Sequence, residues 1–350
     1  MKSAHVSSSA HRHLALVLTG LSAFLSLLFV AGEAHVADAQ TTAPAAATLR
    51  IGTVAPEGTP WEKQLKGLRT HIERESGGRV KVRLFMGGSL GGEKALVRRV
   101  SQGTLECFAG STAALGSVVE ELNVIEAPYL FDDVAAADRA LDGPALPIVR
   151  SALTEHGFTF GIWAENGFRS WFTRDRPIRT PADLRGLRMR SQEASVHLET
   201  YRAFGATPNP IDVTNVLTSL QTGAVDGFDN TPLFAFATSW YQAAHHLNLS
   251  QHSYQPGIVV YSNQWLSAQP ADIQQMLTNL PASITTDGRN GVRRMDPILI
   301  QNLERAGITV HRPTAAERQQ FAAIGRPLQD RVAGSAGTHG RDLLRALRGR

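Results

Sequence analysis

Two hydrophobic periods alternate along the amino-terminal third of the chain, and that alternation restricts the fold more than any other feature. Val80, Val82, Leu84 and Met86 alternate with Arg79, Lys81, Arg83 and Phe85, the period of two that a half-buried strand needs. Just upstream, Trp61, Leu65, Leu68 and Ile72 recur at helical spacing. Thr59 supplies a capping hydroxyl, Pro60 suits the first helical position, and Gly77-Gly78 ends the run. A short strand over 49–54 precedes this helix; a glycine loop, a helix over 92–102 and a strand around Cys107 follow it. Strands separated by helices in this order predict an α/β fold, because a crossover helix is what joins neighbouring parallel strands.

The rhythm resumes after a helical stretch. Segments 157–163, 168–173 and 186–190 read as strands, and 194–204 as a helix. Thr180-Pro181 opens a capped helical turn, Asp212 caps a helix over 213–222, and Thr231-Pro232 begins another that runs to about Tyr241. Segment 257–261 is apolar and extended, and from Pro270 the chain is mostly helical. This organisation predicts two lobes: 48–166 with about 256–295, and 167–255 with about 296–350. A chain of 350 residues is long enough to build both.

The amino terminus carries a different signal. Lys2, Arg12 and several His precede an apolar run over 14–31, and a small-residue stretch ends in Ala37-Asp38-Ala39. That is the order of a secretory signal peptide cleaved after Ala39, with residues 40–47 as a flexible spacer. The run is near spanning length, so an uncleaved anchor is the competing reading; the small-residue exit favours cleavage. Removing 1–39 takes away Lys2 and Arg12 with Glu33 and Asp38, so the net charge stays at +4. The cations are scattered, without a dense Lys/Arg tract, which argues against a nucleic-acid partner. The one cysteine, Cys107, has no partner for an internal disulfide, so an exported chain of this kind must rely on its core. Cys107 itself reads as a small buried hydrophobe.

Catalytic and metal motifs are weak. Gly87-Gly88-Ser89-Leu90-Gly91 spells G-x-S-x-G, but no His and acid are positioned by motif or order to complete a triad. His245-His246 lacks the spaced partner of a zinc site. No phosphate-binding loop or dinucleotide motif is present, and no cofactor is expected.

The segment from Asn166 to Pro232 is the most informative. It holds Asn166-Gly167-Phe168-Arg169, then RPIRTPADLRGLRMR over 176–190, Gly205-Ala206-Thr207-Pro208, and SLQTGAVDGFDNTP over 219–232. Upstream stand GTVAPEGTPW (52–61), GGSLGGEKALVRRVSQGTLE (87–106) and EAPYLFDD (126–133). In order and spacing this resembles the DctP-type solute-binding proteins of TRAP transporters, over nearly all of the mature chain. The resemblance implies a periplasmic, non-catalytic, two-lobe binding protein of the type II-like, Venus-flytrap kind, with hinge strands and long carboxy-terminal helices. It implies a protein that captures a small organic acid and delivers it to one small and one large membrane subunit; a monomer is expected. In the family the Arg ending the "GLKxR" strand pairs with the ligand carboxylate; here that position is Arg190. A guanidinium suits this role because its planar fork meets both carboxylate oxygens.

Arg169 matches a second family Arg and is expected to touch the ligand or a cross-cleft partner. Asn230 matches the Asn of an acid–Asn pair. Glu57 and Trp61 follow the first strand, and Ser111, with Thr112, follows the Cys107 strand; these are the further expected ligand contacts. The chain departs from the pattern in three places. Ser191-Gln192 replaces Val-Pro, Phe228 replaces Gln, and Asp229 replaces Glu. The anchor survives these changes, but the ligand's far end does not follow from the resemblance; more aromatic surroundings point to a less polar acid than a sialic or uronic acid. The competing readings are a binding protein for an ABC importer or sensor kinase, and an exported serine hydrolase.

Overall fold

The computed structural model describes residues 47–349. The expected signal peptide and all but the last residue of the expected spacer lie outside them. Nine strands form one mixed sheet: β1 (Ala47–Gly52), β2 (Val80–Phe85), β3 (Cys107–Ser111), β4 (Phe158–Thr173), β5 (Arg188–Ser191), β6 (Thr207–Pro210), β7 (Gly227–Asn230), β8 (His246–Ser262) and β9 (Thr309–His311). Their spatial order is β2-β1-β3-β8-β4-β7-β5-β6, with β9 beside β8. The first three strands are mutually parallel, as are β5, β6 and β7. The long antiparallel pair β4 and β8 runs through the middle and belongs to both groups.

The two strands expected at 157–163 and 168–173 are therefore one 16-residue strand, and 257–261 is only the end of a 17-residue one. Register shifts in the β4–β8 ladder between Phe160 and Ile162, Glu165 and Gly167, and Arg169 and Trp171 let the pair bend between the two parallel groups. Pro256 pairs with Glu165 beside the second shift, where a missing N–H is tolerated.

Each parallel group has helices on both faces. On one side of β1 and β2, Leu49, Ile51, Val80 and Val82 pack against Trp61, Leu65, Leu68 and Ile72 of the helix Pro60–Glu75. These four helical residues are the stripe read from the sequence, and burying each large aliphatic side chain contributes about 1.5–3 kcal/mol. Thr59 flanks this helix, but its hydroxyl donates to Pro56 O at 2.7 Å instead of capping. Cys107 is fully buried in β3, and burial pushes its thiol pKa up.

The carboxy-terminal helices correct the expected partition. The helix Ala315–Gly325 does join the second group, with Phe321 and Ala322 packed near Trp171 and Tyr201. Pro327–Ser335 and Gly337–Leu347 do not: Val332, Ala333, Leu343, Leu344 and Leu347 enter the core of Leu122, Val124, Val149 and Leu153, in the first group. The physical reason is the apolar stripe of the last helix, which needs a large complementary surface and finds it there. The described residues pack as one compact body, so the sheet distinguishes the halves and no gap does.

Candidate functional site

In open α/β sheets, ligands bind beyond the carboxyl ends of parallel strands. Here those ends converge. Thr53 follows β1, Ser111 ends β3, Arg190 is next to last in β5, and Asn230 ends β7. All four line one cavity, which β4 and β8 back with Arg169 and Gln255.

Strand alternation aims Arg190. Met189 points into the core with Trp171 and Tyr201, so its neighbour Arg190 must face the other way, into the cavity. Its Nε donates to Ile211 O at 3.0 Å, and its guanidinium carbon lies 5.0 Å from the centre of the Trp240 ring. Nη1 and Nη2 have no protein partner among the described residues. Arg190 is only 4% exposed. Burial, and next the nearby Arg169 charge, lower its pKa to about 10. A buried guanidinium whose two outer nitrogens are unbonded and which has no carboxylate within salt-bridge distance has the chemistry to receive an anion.

Arg169 is the opposite case. Its Nε donates to Asp229 Oδ2 at 2.6 Å and its Nη2 to Asp229 Oδ1 at 2.8 Å, a two-pronged pair between side chains both 1% exposed. Nη1 reaches Gln255 Oε1 at 3.0 Å and Gln192 Oε1 at 3.3 Å. Burial pushes the Asp229 carboxyl up, but the Arg169 charge outweighs it and holds the group well below the usual carboxylate range. The Tyr201 hydroxyl and His252 complete the surroundings of Asp229.

Residues 51–335 match the family model described as bacterial extracellular solute-binding protein, family 7, or DctP. The chain belongs to this family. A solute-binding protein of Verminephrobacter eiseniae is 32% identical over 269 residues, 77% of this chain and 80% of the relative. The C4-dicarboxylate-binding periplasmic protein DctP of Rhodobacter capsulatus is 30% identical over 283 residues, 80% of this chain and 84% of its own. The sugar acid binding protein DctPAm of Advenella mimigardefordensis, in complex with galactonate, superposes with a TM-score of 0.82 at 25% identity, covering 87% of this chain and 99% of that one. A TRAP periplasmic solute binding protein of Polaromonas, bound to D-erythronate, gives 0.80 at 26% identity, covering 86% and 98%. The fold is thus that of the two-lobe TRAP binding proteins, and the family is one of periplasmic solute receptors, not of enzymes. No helix among the described residues is long and apolar enough to cross a membrane.

The other expected DctP contacts divide. Asn230 lines the cavity; its Oδ1 accepts from Thr231 N at 2.8 Å, and its Nδ2 has no partner among the described residues. Trp61 lines it too, with Nε1 donating to Asn166 Oδ1 at 2.9 Å. Ser111 caps the short helix Thr112–Leu115 and faces the cavity as well. Thr112 instead donates to the buried Glu126 at 2.6 Å. Glu57 is exposed and lies outside the cavity. The turn pinned by Thr59 at Pro56 O, with Gly58 at φ 76°, sends Val54, Ala55 and Trp61 inward and Glu57 out to solvent. Ser89 is exposed in the loop after β2, and its hydroxyl has no His or carboxylate partner among the described residues.

Sequence reasoning missed Glu93, Gln192, Trp240 and Gln255. Gln192 carried a signal, since it stands where the family pattern has Pro. Gln255 carried none, because its half of β8 was not read as a strand.

Trp61 makes a prediction of its own. Its indole packs against Gly257, where an added Cβ would stand 2.2 Å from Cζ2 and 2.6 Å from Cη2. Gly257→Ala is therefore expected to destabilise the protein by about 1–3 kcal/mol. Urea unfolding checks this, and an unchanged midpoint would mean that the indole has room to move.

Proposed function

We propose that the protein captures a small organic acid by its carboxylate on Arg190 and hands it to the membrane subunits of a TRAP importer. The observation that carries this is the buried guanidinium whose outer nitrogens face the cavity with no protein partner. The complexes of two relatives with galactonate and D-erythronate support an acid as the ligand class. In this reading the two halves move about the β4–β8 pair as a hinge. Contacts made only when both halves meet the ligand shift the population to the closed form, which the membrane partner recognises. The protein does no chemistry on its cargo. It works in the periplasm after removal of its leader.

A thermal-shift screen of organic acids, each beside its uncharged primary amide, tests the anchor. Ligand at 100 times its Kd stabilises the folded form by about 2.7 kcal/mol. The expected result is a clear rise in Tm for at least one acid and none for its amide. An amide that stabilises as well as its acid would remove Arg190 from the role.

A further inference from the structure

The cavity that Arg190 enters also holds a carboxylate, Glu93, the first residue of the helix Glu93–Ser101, near enough for the two charges to attract. Its Oε1 accepts from Ser111 N at 2.7 Å. Its Oε2 accepts from Ser111 Oγ at 2.8 Å and from Gln192 Nε2 at 2.9 Å. Glu93 and Ser111 belong to the first half of the sheet and Gln192 to the second, so this contact spans the cleft.

The Gln192 amide cannot be turned round. Its Oε1 accepts from Gln255 Nε2 at 3.0 Å and from Arg169 Nη1 at 3.3 Å, which forces its Nε2 towards Glu93 and towards Ser111 Oγ at 2.7 Å. Arg169 is itself oriented by both oxygens of Asp229. Polarity is handed along from Asp229 to Arg169, to Gln192 and finally to Glu93. Each group fixes which end of the next one faces it, and the last is held as an acceptor. A Pro at position 192, as in the family pattern, has no side-chain amide and could not complete this relay. Burial raises the Glu93 pKa, against the pull of the Ser111 hydrogen bonds, so a further anion placed beside it meets an already strained charge.

An acid seated on Arg190 therefore faces an acidic wall. A second ligand carboxylate brought near the buried Glu93 makes a like-charge contact, a juxtaposition that costs several kcal/mol. A hydroxyl or ammonium group instead finds a free lone pair on Oε1. Trp61, Phe234 and Trp240 offer apolar walls to the carbons between.

We propose that Glu93, held as an acceptor by Gln192, makes this site selective for small monocarboxylates that carry a hydrogen-bond donor, hydroxyl or ammonium, and turns dicarboxylates away. The proposal rests on the reading of Arg190 as anchor.

Calorimetric titration of the full mature protein with succinate, monomethyl succinate, butyrate, 2-hydroxybutyrate, 4-hydroxybutyrate and 4-aminobutyrate tests it, on wild type and on Glu93→Gln. The best donor-bearing acid is expected to bind wild type at least about tenfold tighter than succinate, which is about 1.4 kcal/mol. Glu93→Gln should close that gap by a similar factor. The hydroxy and amino acids, compared with each other and with butyrate, show which donor is used. Equal affinity for succinate and the best donor-bearing acid overturns the proposal, as does a gap that persists unchanged in folded Glu93→Gln. Should that variant not fold, wild type decides alone: monomethyl succinate must bind about tenfold tighter than succinate, and equal binding overturns the idea. If none of these acids binds, the anchor falls and this inference falls with it. If they bind without regard to Glu93, the anchor stands and only the selectivity is lost.

Discussion

Arg190→Met is expected to abolish acid binding while making the ligand-free protein more stable. The two effects have one cause. In the structure Arg190 is buried with no carboxylate within salt-bridge distance, and burial depresses its pKa to about 10 although the Asp229 and Glu93 charges oppose this. A depressed pKa in a base means that the folded state binds the proton less well than the unfolded chain does. The charged side chain thus opposes folding by an amount on the order of 3 kcal/mol. Methionine keeps the length and the apolar contact with Trp240 but drops the charge, so a gain of at least about 1 kcal/mol, or about 2 °C in Tm, is expected. Ligand binding moves the other way. Truncating one member of a buried, hydrogen-bonded charge pair costs about 2–5 kcal/mol. That is a loss of roughly 30- to 4,000-fold in affinity. Arg190→Lys should lose much of it too, because an ammonium cannot offer the two-pronged fork. Calorimetric titration and scanning calorimetry on the same samples read both signs. A Met variant that binds acids normally, or that melts well below wild type, contradicts this account of the site.

Asp229→Asn is expected to be among the most destabilising single changes in the protein. It leaves Arg169, 1% exposed, without its carboxylate. Removing one partner of a buried pair costs about 3–5 kcal/mol, because the other charge remains buried and unmatched. The loss should lower Tm by roughly 10 °C. The double variant Arg169→Met with Asp229→Leu should recover much of this, since it leaves no orphan charge. The effect is also pH-dependent, with a definite sign. Burial raises the Asp229 pKa, but Arg169 more than offsets it, so the folded pKa lies well below the unfolded one. A carboxyl of this kind contributes its full stability above its unfolded pKa, near 3.9, and loses it as pH falls from there towards the folded value. The gap in unfolding free energy between wild type and Asp229→Asn should be complete at neutral pH and shrink in acid below about pH 4. A gap that is constant with pH would show that the pair is not what stabilises this region.

The helical stripe of Trp61, Leu65, Leu68 and Ile72 and the alternation of β2 are local patterns, and both appear in the structure where they were read. Asp212 accepts from Thr214 N and so does cap the turn it was assigned, although the helix expected over 213–222 divides into Val213–Asn215 and Val216–Gln221. The strands that escaped notice are those whose pairing is remote. β8 from His246 to Gln255 becomes a strand because β4 lies beside it, 73 residues upstream at its nearest pairing, Thr173 with His246. β9 has three residues and exists only against β8. Whether a polar segment becomes a central strand depends on its neighbours, and neighbours are a tertiary property.

Much the same division holds at the cavity. The sequence put Arg190 at the end of a strand and Trp61 and Ser111 past the ends of two others, where a parallel α/β sheet gathers its loops, and the family resemblance added Asn230. The charge state of the place could not be read that way. Arg169 and Arg190 look alike in sequence, two arginines on strands. Only the fold brings Asp229 against the first, 60 residues away in the chain, and leaves the second with open donors. Glu57 and Glu93 look alike as well, two acids beside glycines, and the turn at Pro56 sends one to solvent while the helix after β2 brings the other into the cleft. Periodicity and turn chemistry act over a few residues and are written in the chain. Which charges are matched and which are left unmatched is decided by contacts between distant segments, and those exist only once the sheet has closed around them.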